Sequence, residues 1–168
     1  MGGNSGRTLA WYRVDATDLD LGSACAALAS LLTTCTRRRL PPALLQAPPR
    51  GDEAARQAHA RHFFRAFHAL AGALVLVFDD VHAAPSTDFE GLLQAALDEA
   101  PDSSTVLMTS RHPPRGVLLE SVARGDLWMI DGQALNFTAD EAVSLLAPRL
   151  GIEGARLLQA RTGGGPQA

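Results

Sequence analysis

The sequence predicts an α/β fold: a parallel sheet flanked by helices, followed by the start of a helical subdomain. Three observations carry this. Leu74 to Phe78 reads LVLVF, an apolar run without polar alternation, the pattern of a strand buried on both faces in a helix-covered sheet. Thr105 to Thr109, TVLMT, is a second run of the same kind. Segments with helical spacing of apolar residues separate the strand-like runs, which argues for parallel strands joined by right-handed crossovers.

Taken in order, residues 1–8 form a polar, glycine-rich lead, and Leu9 to Val14 reads as a strand. After a polar loop, a helix is expected to about Thr36, with Leu21, Cys25, Leu28, Leu32 and Cys35 on one face. Residues 40–52 contain four prolines and read as an irregular connection. A second helix covers about Glu53 to Leu70, with Phe63, Phe64, Phe67 and Leu70 as its buried stripe. The Leu74–Phe78 strand follows. Pro85 and Ser86 are read as the start of a third helix. Thr105–Thr109 is the next buried strand, a short helix is expected near Val117 to Ala123, and Asp126 to Ile130, DLWMI, is read as a last strand. Thr138 and Glu141 form a capping box for a helix to about Leu146. A final helix begins near Glu153, and the ending TGGGPQA reads as cut.

Composition bounds the function. The chain has 168 residues, 46% apolar and 20% charged, the profile of an ordinary globular domain. A net charge of −3 supplies no general attraction to nucleic acid. The local run Arg37–Arg38–Arg39 reads as cations at a helix C-terminus. The two cysteines, Cys25 and Cys35, lack zinc spacing and fall on a helical stripe, so core thiols in a reducing compartment are expected. No stretch is apolar enough to span a bilayer and no secretory leader is visible, so the expected location is the cytoplasm. His59, His62 and Gln57 share a helical surface at metal-capable spacing, and a solvated face is the simpler reading.

Chemistry concentrates at the ends of the two buried strands. Asp79 and Asp80 follow Phe78, at the carboxyl edge where open α/β sheets bind ligands. Carboxylates so placed can hold Mg²⁺ on a phosphate, the Walker B arrangement; the alternative is a turn in which they cap the next segment. Thr109, Ser110 and Arg111 end the neighbouring strand, so Arg111 should lie beside the acids. There it could bind a terminal phosphate in bidentate fashion, or simply pair with the aspartates.

The ordered set LVLVFDDVH, MTSRHPP, DLWMI and LNFTADEAVSLL resembles one family. It is similar to the nucleotide-binding domain of STAND-class P-loop NTPases, in particular the large ATP-binding transcriptional regulators of the LuxR type. AWYRVDATDLD resembles that family's second strand and loop, and LLQARTGGGPQA its T-x-G-W-P-A stretch, with Gly165 where the tryptophan stands. The resemblance implies an incomplete P-loop NTPase sheet, its second to fifth strands, in residues 1–136. It implies a truncated helical subdomain in 137–168. Asp79 would be the Mg²⁺-coordinating acid, through water, and Asp80 would polarise the attacking water. Arg111 would contact the γ-phosphate, with Ser110 and Thr109 supporting it, and His82 would orient the acids. ATP or ADP with Mg²⁺ would be the cofactors of the full-length protein. DNA would be bound only through a helix-turn-helix absent here, under control of an unknown inducer.

One family motif is missing. No G-x-x-x-x-G-K-[ST] occurs, and the chain has no lysine at all. Gly6, Arg7 and Thr8 imitate its end, but arginine replaces the compact ammonium and a strand follows where a helix is required. The first strand, phosphate loop and first helix are therefore expected upstream of Met1. This chain is expected to bind nucleotide weakly or not at all, to expose sheet edges and to self-associate. The rival expectation is a non-catalytic α/β interaction module that has lost its phosphate loop.

Overall fold

The computed structural model describes residues 6–132 and 134–162. Two compact units are present, Met1–Arg124 and Gly125–Ala168. Met1 to Ser5, and the glycine-rich ending with Gly165, lie outside the described residues.

The first unit runs β1 (Thr8–Arg13), α1 (Leu21–Thr36), α2 (Glu53–Ala71), β2 (Leu74–Asp79), α3 (Thr87–Asp98), β3 (Thr105–Met108) and α4 (Gly116–Arg124). The strands form one parallel sheet in the order β1-β2-β3. The register sets Trp11 beside Val77 and Val77 beside Leu107. Parallel pairing with intervening helices is what the apolar runs predict.

Local signals fix the helix boundaries. The Asp20 carboxylate accepts the Ser23 N–H at 2.8 Å, Asp52 accepts that of Ala54 at 3.0 Å, and the Ser86 hydroxyl accepts that of Phe89 at 3.2 Å. Each such cap is worth about 1 kcal/mol. Ser86, not Pro85, is the cap of α3: the ring of Pro85 carries no hydroxyl to satisfy the first amides. α1 ends at Arg37 in the left-handed conformation. α2 ends at Gly72, whose φ of 71° and ψ of −140° suit only glycine.

The core lies between one face of the sheet and α1, α2 and α3. Ala10, Leu74, Leu76 and Phe78 face Leu28, Leu32, Phe63, Phe64, Phe67, Leu92 and Leu93, all buried. Phe63 and Phe64 of α2 meet edge-on, their rings 5.3 Å apart. Burying each such ring contributes about 2–3 kcal/mol. Cys25 is buried and Cys35 partly so, both as free thiols. Leu70, expected in the buried stripe, is only half-buried, because it borders an open trough beside residues 39–46.

Three expectations need correction. β2 is buried on both sides, with Val77 4% exposed, but β3, an exposed sheet edge as expected, is not the buried strand its apolar run suggests: Leu107 is 50% exposed. Trp11, beside Val77 on β1, is also exposed, so on the second sheet face the buried Val77 is flanked by exposed apolar side chains on β1 and β3. An apolar run reports hydrophobicity, not the number of neighbours. Asp126–Ile130 forms no strand: it lies in the second unit without a ladder partner, and Trp128 is 90% exposed. The described sheet therefore has three strands, not four.

In the second unit, α5 (Ala139–Thr162) is interrupted at Gly151, whose φ of 73° and ψ of 165° are not helical. The first half thus runs past Leu146 before breaking. The expected capping box is formed: Thr138 N–H donates to Glu141 Oε2 at 2.9 Å, and Glu141 N–H to Thr138 Oγ1 at 3.3 Å.

Candidate functional site

Parallel pairing brings the carboxyl ends of all three strands to one rim. β1 ends at Arg13, in register with Asp79 at the end of β2. β3 ends one residue before Thr109, whose N–H donates to the Phe78 carbonyl at 2.9 Å. The rim thus gathers Arg13, Asp79, Asp80 and Thr109 from three strand ends.

Thr109 organises the acids. Its hydroxyl donates to Asp79 Oδ1 at 2.6 Å and accepts the Asp80 N–H at 2.9 Å. Its carbonyl accepts the Val81 N–H at 2.9 Å. From the other side, Val14 N–H donates to the Asp79 carbonyl at 2.8 Å. Asp80 is held left-handed, with φ 63° and ψ 43°, a conformation disfavoured by roughly 1–2 kcal/mol in a non-glycine residue, though aspartate tolerates it best. Backbone departures of this kind cluster at functional sites. Asp80 stands where it could cap the short Val81–Ala83 turn, but its side chain makes no capping bond. It instead faces Arg13 Nη2 at 3.6 Å and His82 Nδ1 at 3.9 Å.

Arg111 lies on the same rim. Its N–H approaches His82 Nδ1 at 3.5 Å, and the rings of His82 and His112 meet edge-on at 5.8 Å. The guanidinium of Arg111 is exposed and makes no ion pair among the described residues. The Ser110 hydroxyl accepts the His112 N–H at 3.1 Å and so shapes the loop. The arginine–aspartate pair foreseen for Arg111 is made instead by Arg13, a residue the sequence reading overlooked. Its signal was the register: the last residue of a parallel neighbour falls beside Asp79.

A brace steadies the β1 end of the rim. The Tyr12 hydroxyl donates to the buried Asp18 carboxylate, which also accepts the Asp15 N–H at 2.9 Å. Burial first, then the bond to Asp18, pushes the Tyr12 hydroxyl far above its usual pKa, so it stays protonated.

Arg7 is elsewhere. It precedes β1 and donates to Thr105 Oγ1 at 3.2 Å, at the amino ends of the strands. A six-residue strand separates that edge from Asp79, roughly 17–20 Å at 3.3 Å per residue. Gly6, Arg7 and Thr8 therefore cannot cradle a phosphate held by Asp79.

The oxygen donors of the rim, two carboxylates and a hydroxyl, suit Mg²⁺, which keeps several waters and shares few protein ligands with phosphate. No group of three or more His, Cys, Asp or Glu is placed to hold a metal among the described residues. His59 and His62 belong to no such group: His62 is exposed and His59 half-buried. No described helix is long and apolar enough to cross a membrane. No protein-family model matches the chain, and no curated protein matches it.

Proposed function

We propose that this chain is part of the ATP-binding signalling domain of a LuxR-type transcriptional regulator, an ATP-dependent switch in the full protein. The observation that carries the reading is the Thr109-clamped pair Asp79–Asp80 at the carboxyl end of the central parallel strand. Asp79 keeps one oxygen bonded to Thr109 and one for a hydrated Mg²⁺. When bound, the ion would neutralise phosphate charge. Asp80, turned out by its left-handed backbone, would orient water, with Arg13 and His82 setting its direction. Arg111, whose exposed guanidinium makes no ion pair among the described residues, is available for a terminal phosphate.

Exposed Trp11 and Leu107, and the absence of a strand beyond β3 among the described residues, support the same reading. Parallel sheets are covered on both faces, and ligands bind where a sheet's connections change face. A further strand beside β3 with its helix over Trp11 and Leu107 would bring a phosphate-binding loop to the rim. Alone, this chain lacks that loop and would bind nucleotide weakly or not at all, its DNA contacts and inducer site lying in other segments. The test is Mg²⁺-dependent binding of a fluorescent ATP analogue to this chain and to the gene's full-length product. Binding by the longer product alone supports the reading; binding by neither favours the rival, an α/β interaction module without nucleotide chemistry, which the missing lysine motif motivates.

A further inference from the structure

We infer that the trough between α2 and residues 39–46 is a docking groove for an acidic amphipathic helix of a partner protein. It lies away from the acid rim and does not depend on nucleotide chemistry. Ala66, Ala69 and Leu70 of α2 line it together with Arg39, Pro42 and Leu45. Its volume is about 810 Å³.

The shape is built in. Leu44 is buried in the core and anchors the loop, which forces the next residue outward: Leu45 is 67% exposed. Pro41 and Pro42 fix the backbone where that short Pro42–Leu44 turn begins, so little order is lost there when a ligand arrives. Small alanines on α2 let a second helix approach closely, and Leu70 and Leu45 offer apolar contact at its two edges.

Charge selects the occupant. No residue lining the groove is acidic. Arg38 is used within the fold, donating to the Leu70 carbonyl at 3.1 Å at the end of α2. Arg37 and Arg39 are exposed and form no ion pair among the described residues. An apolar trough with the exposed Arg39 in its lining, and Arg37 two residues earlier in the chain, matches a helix with leucines on one face and carboxylates beside them. A basic helix would meet like charge at Arg39.

The test uses a labelled synthetic peptide of about four turns, with leucines at i, i+3, i+4 and i+7 and glutamates elsewhere. A control peptide carries lysine in place of glutamate. Anisotropy should show saturable binding of the glutamate peptide, weakened about tenfold by Arg39→Glu and by Leu45→Ser and weakened by salt. Both positions are exposed, and circular dichroism checks that the variants fold. The double variant Arg37→Glu, Arg39→Glu should reverse the preference toward the lysine peptide. Equal binding of both peptides, insensitivity to Arg39→Glu, or no saturable binding overturns the proposal. So does self-association of the chain that Leu45→Ser abolishes, which would assign the groove to a second copy.

Discussion

The Thr109 hydroxyl donates to Asp79 Oδ1 at 2.6 Å and in the same position accepts the Asp80 N–H at 2.9 Å. One side chain on β3's end thus fixes both the orientation of one acid and the backbone of the next. Replacing Thr109 with valine keeps the shape and removes both bonds. Because the site is exposed, the expected loss is about 1 kcal/mol of stability, read as a lower urea midpoint. Thr109→Ser should retain most of it; equal losses in both variants would show that the methyl group, not the hydroxyl, matters.

Asp80 tests the strain directly. Asp80→Gly should stabilise or leave unchanged the folded chain, since glycine adopts φ near 63° freely. Asp80→Val should destabilise it by roughly 1–2 kcal/mol. Thermal unfolding of the pair gives the comparison; equal midpoints would mean that the turn relaxes.

His68 makes stability depend on pH. It is buried among Phe64 and Phe67, its Nε2 lies 3.4 Å from the Ala96 carbonyl, and its Nδ1 has no partner. Burial pulls its pKa below the ordinary value, only partly opposed by the Ala96 carbonyl and Glu99. His59 is lowered too, by burial and then by His62. The unfolded chain therefore binds more protons below about pH 6.5. Stability should be full above that pH, fall as pH drops toward the depressed folded values, and level off below them. His68→Phe should flatten the fall between about pH 7 and 5; an unchanged slope in urea titrations would remove His68 as its source.

Exposed Trp11 and Leu107 should drive association. Leu107→Lys places a charge on an unpaired edge, which natural proteins use to block edge pairing. Sedimentation should show the parent chain associating with concentration and the variant monomeric at the same loading. A parent that stays monomeric would show that Trp11 and Leu107 need no cover.

What the sequence made legible follows from what its signals measure. The α2 stripe of Phe63, Phe64 and Phe67, the Asp20, Asp52 and Ser86 caps, and the run ending at Asp79 are local patterns, and the structure realises them. Neighbours are not local. TVLMT has the same apolar character whether a strand lies on one side or two, so its edge position could not be read from it. DLWMI has strand propensity but no ladder to join. Arg13 sits in a segment with no motif of its own, and only the register with β2 brings it within 3.6 Å of Asp80. Cys25 was readable as a core thiol, and burial raises its pKa to about 12, which keeps it unreactive.

The most direct measurement is Mg²⁺-dependent ATP hydrolysis by the gene's full-length product, compared with its Asp79→Asn variant. The Asn side chain fills the same space and can still bond Thr109, so folding is preserved while the metal-directed charge is lost. The account predicts hydrolysis in the parent and a loss of at least about a hundredfold in the variant, as removal of a key charge-stabilising group produces. Equal rates in the two proteins, with both folded, would contradict it.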